Sequence, residues 1–102
     1  MIQANRVELT GCIAARGALR HTPAGVPVLE LALSHESEIT EAGVLRKVSI
    51  EVPAIAFESQ ARLLSGTASD RPVRVGGFLA SKSRRSKKLV LHIVTIEFIE
   101  GA

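Results

Sequence analysis

Apolar and polar residues alternate with a period of two in five segments of this chain. Such alternation is typical of β-strands that bury one face and expose the other. In the first segment Val7, Leu9 and Ile13 share one face, which continues to Ala15. Gly11 interrupts this face and predicts a bend or a bulge in the strand. The pattern therefore predicts an all-β protein that begins with a strand.

The next two predicted strands run from about Val28 to Ser34 and from Leu45 to Pro53. Before them, Pro23 presets φ for a turn and Gly25 can adopt the positive φ that follows, so a tight hairpin connection is expected there. Between the two strands a glutamate-rich run leads to Gly43, and we expect a polar loop. The glutamates of this run are Glu36, Glu38 and Glu41.

A helical spacing replaces the alternation over residues 54–66. Phe57, Ala61 and Leu64 fall at i, i+4 and i+7, which places them on one face of a short helix. A glycine at the end of the segment is a common place for a helix to stop. We therefore interpret Phe57, like Phe98 near the end of the chain, as a packing residue.

Two further alternating segments follow the predicted helix. Val73, Val75 and Leu79 form the inner face of the fourth predicted strand, in which the Gly76-Gly77 pair permits strong curvature. The fifth predicted strand, from Lys88 to Ile99, is apolar on both faces. Because one barrel has a single interior, these two apolar faces predict that a second protomer covers the strand.

Five strands with a helical segment between the third and fourth follow the order of an oligonucleotide-binding (OB) barrel. In that fold the binding loops join the first strand to the second and the fourth strand to the fifth. The chain has 102 residues, which is enough for one such domain spanning residues 1–102. We therefore predict a single five-stranded OB barrel.

Composition adds constraints on the type of protein. No apolar run approaches the length of about 18 residues needed to span a bilayer, and the first residues lack the pattern of a secretory signal. Cys12 is the single cysteine, which excludes an internal disulfide and a cysteine-based zinc site. These features predict a cytoplasmic protein without a membrane segment.

Positive charge is unevenly distributed along the chain. The formal net charge is only +3, yet no acidic residue occurs between Arg71 and Ile96. Five of the seven residues from Lys82 to Lys88, in the predicted loop between the last two strands, are cationic. Crowded cations are best neutralised by several phosphates along a flexible strand, so we expect this loop to bind single-stranded nucleic acid. Protection of sheet edges from aggregation is the other ordinary use of such lysines.

Other residues complete the predicted DNA-binding set. Phe78 is the candidate ring for base stacking, and it shares a strand face with Arg74. His21 lies in the first binding loop, where it could donate to a phosphate. The full set consists of His21, Arg46, Lys47, Arg74, Phe78, Lys82, Arg84, Arg85, Lys87 and Lys88.

The sequence carries no pattern of catalytic or metal-binding residues. His21, His35 and His92 are far apart and lack the spacing of metal ligands, and we interpret His92 as an ordinary strand residue. A glycine-rich phosphate loop, a nucleophile elbow and a pair of buried acids are also missing. We therefore expect a protein that is not an enzyme and uses no metal or cofactor.

Several short segments together resemble the PriB family of primosomal replication proteins, which is itself similar to the DNA-binding core of single-strand DNA-binding proteins. The segments are Asn5-Arg6, 19–27, 41–43, Val52-Pro53, Gly77-Phe78-Leu79, 89–92 and 96–99. The resemblance implies a homodimer of OB folds that binds single-stranded DNA. It also implies a partnership with the PriA helicase, and with other primosome proteins such as DnaT, in restarting stalled replication forks.

The resemblance further implies phosphate contacts at four positions, namely His21, Lys82, Arg84 and Lys88. The chain departs from the family at three positions. His21 stands where other members carry lysine, Ser49 where some carry a stacking tryptophan, and Glu36 where the binding face carries a basic residue. These departures predict weaker DNA binding or a greater reliance on charge.

Two alternatives to this function remain open at the level of sequence. A general single-strand DNA-binding protein would use the same fold and the same basic loop. A protein–protein adaptor would instead direct the basic loop toward an acidic protein surface, and its DNA affinity would not depend on that loop.

Overall fold

The computed structural model describes residues 2–100. This part of the chain folds into six strands and one short helix, and none of its helices is long and apolar enough to cross a membrane. The elements are β1 (Val7–Arg16), β2 (Arg20–His21), β3 (Pro27–Glu41), β4 (Val44–Phe57), α1 (Glu58–Ser65), β5 (Val73–Ser83) and β6 (Ser86–Phe98).

The sheet has the order β1-β5-β6-β4-β3-β2, and an additional pairing of β1 with β3 closes it into a barrel. Strands β4 and β6 run parallel, whereas the other pairings are antiparallel. Setting aside the two-residue β2, the five predicted strands correspond to β1, β3, β4, β5 and β6. The helix lies between β4 and β5, so the predicted OB barrel is confirmed.

Strand β1 closes the barrel because it changes its partner along its length. Its first half, Val7 to Gly11, pairs with β5, and its second half, Cys12 to Arg16, pairs with β3. A Cβ atom at Gly11 would collide with the carbonyl oxygen of Ser34, so this crossing requires glycine. The bulge lies further along, between Ile13 and Ala15. It leaves Ala15 exposed, which corrects the prediction that this residue shares the inner face.

The barrel interior is filled by aliphatic side chains from every long strand and from the helix. Six of the twelve core residues, among them Leu29, Leu33 and Val75, are residues that the period-two pattern placed on inner faces. Leu64 from α1 is completely buried against this core, and it plugs the barrel with the help of Ala61. The alternation along the chain thus specifies the core directly.

The predicted polar loop between β3 and β4 is wrong. The two strands remain paired from the Val28–Phe57 pair at one end to the Glu41–Val44 pair at the other. Only two residues, Ala42 and Gly43, form the turn, and both have positive φ values of 52° and 78°. The glutamates are compatible with a strand because the backbone is paired while their side chains reach solvent. We call the part of this hairpin from residue 34 to residue 51 the arm.

The helix is shorter than predicted, because Ala54 to Phe57 belong to β4. It ends at Gly66 as expected, although the φ of −99° there is one that any residue adopts. Its last turn is held by a side chain from β1: Arg16 Nη1 donates to the carbonyl oxygens of Leu64, at 2.9 Å, and of Thr67. Arg16 therefore stabilises the junction of the helix and the barrel.

Strand β6 departs from regular alternation at Val94. The register with β5 shifts between Gly76 and Gly77, which pair with Thr95 and Ile93 and leave Val94 as the extra residue of a bulge. Beyond the bulge, Ile96 and Phe98 pack against the core instead of facing outward. The prediction of two apolar faces is therefore corrected, since a bulge reverses the direction of every later side chain.

Candidate nucleic-acid interface

The basic run predicted from the sequence forms the hairpin between β5 and β6, which we call the basic hairpin (residues 82–88). Ser83 pairs with Ser86, so Arg84 and Arg85 occupy the turn. All five cations of the basic hairpin are exposed. Within residues 2–100, none of the five forms an ion pair. Their charge is therefore available to an anionic ligand.

A groove of about 320 Å³ lies between the basic hairpin and the outer face of β3 and β4. Lys82 and Lys88 line one side of it, together with Leu89 and Val90. The other side is formed by Glu30, Leu31, Pro53 and Ala54. A strand lying in this groove would pass two ammonium groups on one side and the sheet on the other.

The first loop reaches the same groove through an ion pair. Arg20 on β2 lies 3.2 Å from Glu30, measured from Nη2 to Oε2, and Glu30 lines the groove. His21 follows Arg20, pairs with Pro27 in the sheet and is exposed. The predicted turn is confirmed, since Gly25 has a φ of 84° and its N–H donates to the carbonyl oxygen of Thr22. The first loop therefore reaches the groove through Arg20, whereas His21, the next residue along β2, points to the other face of the strand.

Three other predicted DNA-binding residues lie apart from the basic hairpin. Arg46 and Lys47 are on the arm, where Arg46 Nε lies 2.6 Å from Glu41 Oε1. Arg74 is at the opposite end of β5, and its Nη1 donates to Glu97 Oε1 at 3.1 Å. Their charge alone suggests a DNA-binding role, and only the fold reveals their separation and the carboxylate partners of the two arginines.

Aromatic rings form a row on the outer face of the barrel. Phe78 stacks on His92 with a centroid separation of 4.8 Å and an interplanar angle of 14°. Phe57 extends the row on the other side of His92, at 6.1 Å and 20°. Phe57 and Phe78 remain 37% and 39% exposed. These neighbouring rings provide apolar surface of the kind on which nucleobases stack.

Two members of this row differ from the expectations from the sequence. Phe57 is an exposed ring of the row and not a packing residue, and His92 is its central ring and not an ordinary strand residue. If the alternation is continued past Pro53, Ala54 and Ala56 fall on the inner face, where both are buried, and Phe57 falls on the outer face. That signal was hidden because the same residue also fits a helical spacing. Phe98, in contrast, packs against the core as predicted, with Arg71 Cζ 3.9 Å from its ring centroid.

The site is built for binding anions. Among residues 2–100, no three His, Cys, Asp or Glu side chains lie close enough to hold a metal ion. Every deeply buried side-chain nitrogen or oxygen atom in this range has a hydrogen-bond partner. Since the cations and the rings of the interface are both exposed, the geometry suits a flexible polyanion with planar bases.

Comparison with known proteins agrees with this geometry. Residues 5–95 match the model of a family whose description reads "Another single-strand binding protein family". The replication restart protein PriB of Bordetella pertussis is 43% identical over 96% of this chain and 92% of its own length. The same protein of Nitrosomonas europaea is 39% identical over 90% of this chain and 85% of its own length.

Solved structures show the same relationship. PriB from Ralstonia solanacearum superposes with a TM-score of 0.84 and 32% identity, covering 95% of this chain and all of the other. The single-stranded DNA-binding protein of Thermus aquaticus gives a TM-score of 0.76 and 25% identity, covering 96% of this chain and 51% of the other. The chain therefore belongs to the PriB family of replication restart proteins, within a larger family of single-strand binding proteins.

Proposed function

We propose that this protein binds single-stranded DNA as a non-enzymatic accessory protein of the replication-restart primosome, where it stabilises the PriA helicase on DNA at stalled forks. The observation that carries the proposal is the unpaired basic hairpin beside a groove that also reaches the first loop of the barrel. Membership of the PriB family supports the role in replication restart. The protein would act in the cytoplasm, without a metal or cofactor.

The basic hairpin supplies most of the affinity in this proposal. Each ammonium or guanidinium group that meets a phosphate releases a counterion, so binding weakens as salt rises. Arg20 can exchange its bond to Glu30 for a phosphate at the other end of the groove, and His21 beside it offers a further hydrogen-bond donor in the first loop. Arg46, Lys47 and Arg74 contribute less, because they lie away from this groove.

The aromatic row would supply a second, uncharged contribution. A base stacked on an aromatic side chain is worth about 1–3 kcal/mol in measured cases. Phe57 and Phe78 are the exposed rings that offer such contacts, whereas the chain has no tryptophan and no tyrosine. We therefore expect charge to contribute more than stacking in this protein.

We also propose that the protein acts as a homodimer. The first half of β1, Val7 to Gly11, pairs with β5 along one edge, and within residues 2–100 its other edge has no strand partner. An unpaired strand edge is a template for pairing with another chain. Two copies joined along this edge would align two DNA-binding faces, so that a long strand binds both at a high effective concentration.

Titration of a labelled oligothymidylate at two salt concentrations tests the DNA-binding role. If five phosphates are contacted, the logarithm of the association constant should fall by about 3.5 for each tenfold rise in salt. The restart role is tested by the rate at which PriA unwinds a forked substrate, measured with and without this protein. Adding DnaT to the same reaction tests the role in the wider primosome. Binding that is independent of salt would contradict the charge-driven site.

A general single-strand DNA-binding role is the second candidate, because the Thermus aquaticus protein shares the barrel. The two roles differ in assembly and in helicase dependence. A tetramer that binds DNA tightly but leaves PriA unwinding unchanged would favour the general role. A dimer that stimulates PriA would favour the replication-restart role. An adaptor that uses its basic hairpin on an acidic protein would retain its DNA affinity when the hairpin is neutralised.

A further inference from the structure

The outer face of the arm is acidic, in contrast to the basic hairpin. In the β3–β4 register, Glu51 lies opposite Ser34, Ser49 opposite Glu36, and Lys47 opposite Glu38. Successive pairs two residues apart lie on the same side of a two-stranded ribbon. Glu36, Glu38 and Glu51 therefore share the face that continues, through Pro53, into the groove beside the basic hairpin.

The three carboxylates of this face are exposed and lack cationic partners. Within residues 2–100, the four ion pairs involve other glutamates, and Glu36, Glu38 and Glu51 join none of them. Lys47 is the one cation that the register places on the same face. Three negative charges against one positive charge leave the outer face of the arm with a net negative charge.

The acidic face lies on one of the two routes by which a DNA strand could leave the groove. Toward β2 the strand meets Arg20, whereas toward the arm it meets Glu51 and then Glu36. A phosphate within about 8 Å of either carboxylate lies inside the Debye length at physiological ionic strength and is repelled. Ser49, which faces Glu36 across the ribbon, presents no ring on which a base could stack.

We propose that Glu36, Glu38 and Glu51 end the DNA footprint at the base of the arm and direct the strand from the basic hairpin across the groove toward β2. The arm projects beyond this footprint, and Arg46 and Lys47 lie outside it. This inference rests on the proposed DNA-binding function and specifies which surface of the barrel the DNA occupies.

The test compares strands of two lengths on the double variant Glu36→Gln/Glu51→Gln. Anisotropy is measured at low salt with labelled oligothymidylates of about 8 and about 30 nucleotides, since a single OB fold occupies about 4–16 nucleotides. We expect the affinity for the long strand to rise about fivefold, because removing two nearby carboxylates opens the arm to the phosphates that extend past the groove. The affinity for the short strand, which the groove accommodates, should stay unchanged.

A matched control removes the same amount of charge elsewhere. Asp70→Asn/Glu100→Gln neutralises two exposed acids outside both the arm and the proposed dimer edge, and it should leave both affinities within twofold of the unmodified protein. Charge reversal provides a second measurement: Glu36→Lys/Glu38→Lys should add two phosphate contacts for the long strand. Its salt slope should therefore steepen by about 1.4.

Several results would overturn the inference. A gain no larger than that of the control, a loss of affinity, or an equal gain for both strand lengths would each show that the acidic face does not limit the footprint. The proposed function would survive all three results, because it depends on the basic hairpin. Failure of the unmodified protein to bind either strand would instead remove the proposed function and this inference together.

Discussion

Phe78 and His92 stack almost parallel across β5 and β6, with ring centroids 4.8 Å apart. This pair sits on the outer face of the barrel, one strand away from Phe57. The three rings support one another, so they are held in place before a ligand arrives. A preorganised apolar surface of this kind loses little side-chain entropy on binding.

The aromatic row leads to the first prediction. Phe57→Ala should weaken binding of an oligothymidylate by about 1 kcal/mol, or about fivefold, because one stacking surface is lost. The salt slope should not change, since no charge is removed. Leu63→Ala is the control, because Leu63 is another exposed apolar residue, on α1. If both variants bind as the unmodified protein does, the row is not part of the DNA site.

The second prediction concerns the basic hairpin. Arg84→Ala/Arg85→Ala/Lys88→Ala should weaken DNA binding at least tenfold, or about 1.4 kcal/mol, and reduce the salt slope from about −3.5 to about −1.4. Thermal unfolding should stay nearly unchanged, because exposed loop charges contribute little to stability.

The matched control for the hairpin variant is Arg46→Ala/Lys47→Ala/Arg62→Ala. It removes the same charge from the arm and the helix, and we expect a smaller loss of affinity. An equal loss in the two triple variants would mean that net charge, and not the basic hairpin, determines binding.

Arg16 provides a prediction about stability. Arg16→Met should lower the free energy of unfolding by about 1–3 kcal/mol, because the carbonyl group of Thr67 loses its donor and that of Leu64 keeps only the N–H of Thr67. Urea unfolding followed by far-UV circular dichroism measures the change. Arg62→Met, in the last turn of the same helix, should cost far less, because Arg62 forms no ion pair within residues 2–100. Equal losses would indicate that the Arg16 contact adds nothing specific.

The turn of the arm allows a stabilising substitution. Ala42 has a φ of 52°, a region that costs alanine about 1 kcal/mol and that asparagine and glycine adopt more easily. Ala42→Asn should therefore raise the free energy of unfolding by about 0.5–1 kcal/mol. Ala24→Asn is the control, since Ala24 lies in a turn without positive φ. A lower free energy of unfolding for the Ala42 variant would refute the strain argument.

The last prediction is a stable dimer. Sedimentation equilibrium at micromolar concentration should give twice the chain mass of 10.9 kDa. Oligonucleotides long enough to reach both binding faces should bind more tightly than short ones. A mass equal to one chain would contradict pairing along β1, and a mass equal to four chains would favour the general single-strand DNA-binding role.

Local chemistry made the barrel predictable from the sequence. Inner and outer positions follow from alternation, because each strand buries one face against the same interior, as Leu29, Leu33 and Val75 do. The turn before β3 follows from Pro23 and Gly25, and the basic hairpin follows from five cations between two strands. These features depend on residues close together in the chain, so one sequence is enough to recognise them.

Tertiary structure decided the features that depend on distant partners. The bulge at Val94 turns Ile96 and Phe98 inward, and it forms where the register of β5 and β6 shifts between Gly76 and Gly77. The arm is a strand pair instead of a loop because β3 and β4 satisfy each other's backbone groups. The composition of the binding surface was settled in the same way. Strand pairings between residues far apart in the chain determine which cations share a groove and which are held by glutamates. They also determine which rings lie beside His92. The order of the amino acids does not display those pairings.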